Sequence, residues 1–285
     1  MCRLFLFTSK ETKIPLNYII ADAFNSIKKQ STHTPYLPGI NITDVDVKER
    51  NAKNHLDGYG IAYHKQDNSY QLIKSNDPIA KIGSLGQLEL DQYASIEILD
   101  KESKFMLAFI RKNNGKSENI ISNVQPFYWK TKFFLHNGEF NSFLSLMKES
   151  LFEKIKMKYF DIMEFDLDSK ILFALLLSYV KTKSSYSFKN LFERIQKLIT
   201  LFNKTRPICC NISLNFIFCD IKSGVYIGTR YRTGNEEPPS LYYNPYYLNG
   251  FSISSEPIDK ESGWTLLNNQ VVIMKDFAYK IFPLK

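Results

Sequence analysis

A cysteine stands directly behind the initiator methionine, in the order Met1–Cys2–Arg3. Methionine aminopeptidases remove Met ahead of small residues, and cysteine is small. The mature chain would then open on a residue with both a thiol and a free α-amine. An α-amine has a reference pKa of about 7.7–8.0, so a good fraction is unprotonated near neutral pH. It can take the thiol proton directly or through a water, which activates the nucleophile without a histidine. Cys2 also fits a plainer role, as a small apolar residue opening a strand.

Three further features carry possible chemistry. His136–Asn137–Gly138 follows an apolar run. A strand ending in Asn-Gly can aim the Asn amide and the Gly N–H at one point. Two such donors make an oxyanion hole for the tetrahedral intermediate of acyl transfer. The same dipeptide fits an ordinary hairpin turn. Arg111 closes the segment KFMLAFIR, where a guanidinium can bind a carboxylate through two parallel hydrogen bonds or simply surface as its strand exits. Asp57–Gly58–Tyr59–Gly60 precedes a strand. Glycines there permit close backbone approach or a bulge, or a tight turn.

A framework must position these groups. Residues 2–8 read as a strand, and 15–29 carry apolar residues at helical spacing. Residues 30–56 form a polar loop with Pro35, Pro38 and Gly39. Residues 58–64 and 70–74 read as a strand pair around Asp67–Asn68–Ser69, 104–111 as a strand, 112–123 as a polar loop, and 132–136 as a short strand. Helical patterns follow over 139–158, over 170–180 (capped by Asp168 or Ser169) and over 185–202. After Pro207 strands are expected at 212–220, 225–231, 240–243, 250–254 and 270–275. No Ser/Gly/Pro-rich linker or internal repeat divides the chain. One domain over 1–285, with two sheets and a central helical layer, is the economical reading.

Composition narrows the function. The 285 residues are 44% hydrophobic, with 22 Phe and 17 Tyr, which excludes bulk disorder. The net charge of +8 comes from 37 Lys+Arg against 29 Asp+Glu. The lysines are scattered, as solvated faces are, so no nucleic-acid partner is expected. Cys2, Cys209, Cys210 and Cys219 make no CxxC pair and no metal-type spacing with His33, His55, His64 or His136. Neither a metal, another cofactor nor a disulfide framework is expected, and a reducing compartment suits the thiols. The longest apolar run, Ile171–Leu177, is far short of the roughly 20 residues of a spanning helix. A cytoplasmic protein with no membrane partner is expected.

The segments also resemble a known family. MCRLFLF, DGYGIAYH, the strand ending in Arg111, NVQPF, FFLHNGEF and LDSKILFALLL stand in the order and approximate spacing of the class II glutamine amidotransferase domain. They look most like its stand-alone branch, which includes YafJ-like proteins, the ergothioneine-pathway γ-glutamyl amidohydrolase and the amidotransferase-like subunit of the alternative glutathione-degradation enzyme. LNFIFCD, GTRY, SLYY and SSEP continue the likeness, which covers roughly residues 2–275.

The resemblance implies an α+β fold, the four-layer αββα sandwich of two mainly antiparallel sheets seen in N-terminal-nucleophile hydrolases. It implies that Cys2 is nucleophile and, through its amine, base. Asn137 and Gly138 would form the oxyanion hole. Arg111 would hold the α-carboxylate of glutamine or a γ-glutamyl compound, Asp168 its α-ammonium, and His136 would belong to the substrate-binding set. A zwitterionic head needs one fixed cation and one fixed anion, and Arg111 and Asp168 supply them. The implied chemistry is attack on a γ-amide, a thioester at Cys2, and hydrolysis. No synthase segment follows within the 285 residues, so a separate synthase or peptidase subunit is a possible partner. The chain departs from the family pattern at Phe109, Gln125 and Lys170, where His, His and Glu are usual, and at Asn113–Asn114. These positions support an alternative, a catalytically weakened member that binds γ-glutamyl ligands or a partner protein.

Overall fold

A computed structural model describes residues 2–32, 55–67, 69–79, 98–112, 121–138, 144–162, 167–180, 182, 185–207, 211–234, 239–260 and 263–285. In chain order the strands are β1 (Arg3–Thr8), β2 (Ile14–Pro15), β3 (Tyr59–His64), β4 (Tyr70–Ser75), β5 (Glu102–Ser103), β6 (Phe105–Ile110), β7 (Phe127–Trp129) and β8 (Lys132–His136). They continue with β9 (Phe216–Asp220), β10 (Val225–Arg230), β11 (Tyr242–Asn244), β12 (Phe251–Ser254), β13 (Thr265–Leu266), β14 (Gln270–Lys275) and β15 (Ala278–Pro283). Two compact units result. One comprises Met1–Pro126 with Ser240–Leu266, the other Phe127–Pro239 with Leu267–Lys285.

The first unit is built on a seven-stranded sheet in the order β13-β11-β12-β1-β6-β3-β4, with β2 and β5 paired separately. Neighbours run antiparallel. Strand period sends alternate side chains to opposite faces. Phe5, Phe7, Met106, Ala108, Ile61 and Tyr63 share a core with Ile19, Ile20 and Ile27. Leu4, Leu6, Phe109 and Leu107 leave from the other face and are buried too.

The helix expected over 15–29 is broken. The chain makes β2, a π-helical turn at Tyr18–Asp22 and a short helix at Ile27–Gln30 capped by Ser26. The cause is tertiary pairing, which overrides local propensity. Asn25 gives its backbone N–H to the Ile258 carbonyl at 2.8 Å and its side-chain amide to the Pro257 carbonyl at 2.7 Å.

The second unit has a six-stranded antiparallel sheet in the order β15-β14-β10-β9-β8-β7. Phe134, Phe216, Phe218, Val225, Ile227, Val271 and Ile273 pack in one core with its helices. The Asp168–Tyr179 helix is buried from Asp168 to Ser178, its apolar stretch Ile171–Leu177 being apolar on every side. The Phe188–Thr205 helix buries Leu191, Ile195, Leu198, Ile199 and Phe202. It starts three residues later than its apolar spacing suggests, because Ser187 and Asn190 form a capping box. The helix expected over 139–158 is observed as Leu144–Phe152 followed by a 3-10 helix at Met157–Ile162. Residues 139–143 lie outside the described residues.

β7 and β15 were not expected from the pattern. Each is joined to its neighbour by a turn with left-handed residues that are not glycine: Lys130 before β8, and Asp276 and Phe277 after β14. A two-residue hairpin with both central φ values positive usually announces itself as Asn-Gly. Asp-Phe gives no such signal. No helix among the described residues is long and apolar enough to cross a membrane.

Candidate active site

The strand register assembles the first group of residues. Arg3 lies across from Ile110 in the β1–β6 pair. Continuing by one residue sets Cys2 opposite Arg111, at the same end of the sheet. Tyr59 lies across from Ile110 in the β3–β6 pair, so Gly58 flanks Arg111 on its other side, and the Arg111 N–H donates to the Gly58 carbonyl at 2.8 Å. Residues directly opposed on antiparallel strands share a face. Cys2 and Arg111 therefore leave the sheet on the face of Leu4 and Phe109.

Cys2 is half-buried, and its Sγ lies 3.9 Å from the Lys112 carbonyl oxygen, the long reach of a thiol donor. Arg111 is buried. Burial pushes its guanidinium below its ordinary value, while Cys2 and Asp57 push it back up.

The glycines beside this row serve close approach, one of the roles open from sequence. A Cβ at Gly60 would overlap the Gln125 carbonyl oxygen, and one at Gly58, with φ of +122°, would run into the Ser75 carbonyl. Phe109 sits in β6 between Leu4 and Gly60, fully inside the packing.

Sequence reading missed the group beneath Cys2. Arg3 Nη2 lies 2.8 Å from Glu256 Oε1, both side chains buried. Arg3 Nη1 donates to the Cys2 carbonyl at 3.2 Å. Asn25 Nδ2 donates to Glu256 Oε2 at 3.3 Å. Burial pushes Arg3 down and Glu256 up, each towards its neutral form. The partners stand in MCR and SSEP, at opposite ends of the chain, where no local pattern connects them.

The second group belongs to the other unit. β8 delivers His136, and the next residue, Asn137, donates its N–H to the Asn215 carbonyl at 2.8 Å. Asn137 is buried. Gly138 is pressed against the Ser213 carbonyl and the His136 ring, so a Cβ there would overlap both. The 213–215 segment thus backs the Asn-Gly turn, because β9 pairs with β8 and carries it there.

Asp168 opens the Asp168–Tyr179 helix as its first residue rather than its cap. Its Oδ1 accepts the Ser169 N–H at 2.6 Å and the Ser169 hydroxyl at 3.2 Å. Ser169 Oγ lies 2.9 Å from His136 Nδ1. The string Asp168–Ser169–His136 fastens the helix start to the end of β8. Lys170, one residue on, is buried with its ammonium 5.7 Å from the Phe127 ring centre.

Burial pushes His136 below its ordinary 6.5, against the opposing pull of Asp168. A lowered folded value means the unfolded chain binds the proton more tightly. His136 therefore contributes stability above about 6.5 that fades as pH falls below it. The thermal midpoint of wild type should exceed that of His136→Gln at pH 7.5, and the gap should shrink on titration to pH 5.5. A gap that stays constant would remove this linkage.

All six residues singled out from sequence are thus placed. Cys2 and Arg111 meet in one unit, and His136, Asn137, Gly138 and Asp168 in the other. Cys219 is a buried thiol whose surroundings push its pKa well up, and Cys209 and Cys210 lie outside the described residues.

Comparison with known proteins adds the fold's name. No family model matches the chain. The chain is similar to the Saccharomyces cerevisiae protein named "Probable glutamine amidotransferase DUG3", with 24% identity over 322 aligned positions covering 100% of this chain and 84% of that protein. In structure it is similar to a class II glutamine aminotransferase domain protein from Silicibacter pomeroyi, with a TM-score of 0.59 and 17% identity over 99% of each chain. The chain has the class II glutamine amidotransferase fold. A glutamine phosphoribosylpyrophosphate amidotransferase from B. subtilis shares it, with a TM-score of 0.55 and 13% identity over 99% of this chain and 49% of that one. The α+β class with two antiparallel sheets, expected from the motifs, is the one observed. In this class II amidotransferase fold, one unit holds Cys2 opposite Arg111, and the other holds His136–Asn137–Gly138 with His136 linked to Asp168 through Ser169.

Proposed function

We propose that the mature chain, beginning at Cys2, hydrolyses the γ-amide of glutamine or of a γ-glutamyl compound. The observation that carries this reading is the placement of Cys2 opposite Arg111 at the strand ends, a nucleophile one strand away from a buried cation suited to a carboxylate. The similarity to glutamine amidotransferases over the whole chain supports it.

The steps follow from the groups present. The Cys2 α-amine takes the thiol proton, and Sγ attacks the γ-carbonyl carbon. Asn137 and Gly138 donate to the oxyanion that forms. The intermediate collapses, the C–N bond breaks, and the ammonium formed at the first step returns its proton to the departing amine. Water, deprotonated by the same amine, then attacks the thioester. Glutamate leaves and the thiol is restored. Arg111 holds the α-carboxylate and Asp168 the α-ammonium. Thiol chemistry of this kind suits the reducing cytoplasm.

The test is a mass spectrum before and after 6-diazo-5-oxo-norleucine, with a screen of glutamine, glutathione and γ-glutamyl amides for glutamate release. Loss of Met1, one adduct at Cys2, and its protection by glutamine are expected. A retained Met1 or an unlabelled Cys2 would sink the hydrolase reading and favour a ligand-binding member of the fold.

Arg111→Ala should raise KM by about 10–100-fold, the worth of a charge-assisted hydrogen bond to a carboxylate, with kcat within a few-fold of wild type. Steady-state kinetics on glutamine checks this. An unchanged KM removes Arg111 from substrate binding.

A further inference from the structure

We propose that the buried Arg3–Glu256 pair positions the nucleophile, gripping the main chain of Cys2 and so anchoring the Cα from which its thiol and its amine project. This rests on the hydrolase reading for its catalytic consequence.

Cys2 stands one residue outside the ladder, since β1 begins at Arg3. Chain ends fray unless tied down. A residue that is its own base tolerates fraying badly, because its thiol and amine must keep one mutual geometry while a substrate carbonyl approaches. The group that ties Cys2 down is Arg3 Nη1, at 3.2 Å from the Cys2 carbonyl oxygen. Fixing that carbonyl fixes the Cys2–Arg3 peptide plane, and with it the position of the Cys2 Cα from which both the thiol and the amine project.

Arg3 acts through the backbone. It leaves the sheet on the face opposite to the Cys2 side chain, on the side of Phe5 and Phe7. Its own orientation is set in turn. Continued two residues past the Phe5–Ser254 pair, the β1–β12 register places Glu256 directly across from Arg3. Glu256 is held on both oxygens, by Arg3 at 2.8 Å and by Asn25 at 3.3 Å. Asn25 is itself fixed to the Pro257 and Ile258 carbonyls. An unbroken series of contacts runs from the turn after the Tyr18–Asp22 helix to the nucleophile.

Stability does not account for the pair. Apolar side chains of similar volume in place of a buried ion pair are often neutral or stabilising, whereas removing one partner is strongly destabilising. Here burial pushes both groups towards their neutral forms. The face they occupy is otherwise lined by phenylalanine and isoleucine, where apolar residues would pack. The charges buy orientation.

The decisive protein is therefore the double variant Arg3→Met with Glu256→Leu, which removes both charges together. Glu256→Gln accompanies it and keeps the shape of the acceptor. Met1 removal is confirmed by mass for each. Three quantities are read: thermal midpoint, the rate of Cys2 alkylation by iodoacetamide at fixed pH, and kcat and KM for glutamate release. The double variant should melt at or above the wild-type temperature, yet lose about 10–100-fold in kcat, the scale of a misplaced reacting group. KM should stay within about threefold, since Arg111 is untouched. Cys2 alkylation should slow, because the thiol has lost its aligned base, with buried Cys219 as the unreactive control. A double variant that melts normally and keeps both rates would overturn the proposal. Should it fail to fold, Glu256→Gln decides: it leaves Arg3 charged and should melt below wild type, and slower kcat and alkylation are expected when it is assayed well below its own midpoint, with unchanged rates overturning the proposal. The alkylation arm needs no substrate. A wild type that releases no glutamate, yet alkylates faster than the double variant, overturns the hydrolase reading and leaves the positioning role standing.

Discussion

Cys2→Ala should abolish glutamate release while the protein folds and melts as wild type does. The two halves of that expectation have separate causes. The side chain lost is small and sits outside β1, and its thiol contact to the Lys112 carbonyl is a long one. Losses of that kind fall within about 0.5 kcal/mol. The chemistry has no substitute. The other described cysteine, Cys219, is fully buried in β9, and an alanine methyl cannot form a thioester. Removing the nucleophile of a covalent hydrolase lowers kcat on the order of 10⁴-fold or more. The check is glutamate release over hours at high enzyme concentration, with circular dichroism and a melting curve beside it. Residual turnover within about 100-fold of wild type would mean that Cys2 is not the nucleophile.

Gly138→Ala is the second large effect, and it should strike catalysis and stability together. The added methyl would overlap the Ser213 carbonyl and the His136 ring. Ser213 O is main chain, in the segment leading into β9. His136 is buried and tied to Ser169. Neither neighbour can swing clear as a surface lysine would. Forcing a methyl into such a place costs about 1–3 kcal/mol, and the turn moves to relieve it. On the proposed reading that segment carries the Asn137 and Gly138 donors, and losing one oxyanion donor costs about 10²–10³ in kcat. A lower melting point, kcat down by that factor and KM little changed are expected. Wild-type kcat in a folded Gly138→Ala would remove the turn from the chemistry.

Much of the first unit was legible because its signals are local. β1, the β3–β4 pair and the arginine after β6 show in apolar alternation and in the turn residues Asp67 and Ser69, which the structure ties together through Asp67 Oδ1. The Asp168–Tyr179 helix shows in its apolar run Ile171–Leu177, rich in Leu and Ile. What was hidden depends on distant partners. Asn25 breaks an apolar helical pattern because Pro257 and Ile258 claim it. Ser169, named only as a possible cap, joins Asp168 to His136, and strand and helix must first be brought together before that link exists. Asn215 was quoted inside LNFIFCD without a role, which its carbonyl acquires only once β9 lies beside β8. Arg3 and Glu256 are the extreme case. The turns before β8 and β15 were missed for a different reason, since Lys130, Asp276 and Phe277 hold left-handed backbone that glycine would have advertised. Asn113–Asn114, His33, Cys209 and Cys210 lie outside the described residues.

The ladder that holds the start of the chain begins at Arg3. On the proposed reading this separates folding from activation. The strand itself starts at Arg3, and trimming Met1 creates the amine on which the thiol depends. A chain that keeps its methionine is then a complete but dormant molecule, and a single irreversible cut during synthesis licenses it. Any leader or affinity tag fused ahead of Cys2 would hold the enzyme in that dormant form, so how much active enzyme a cell contains is set by its aminopeptidase as much as by the amount of chain it makes.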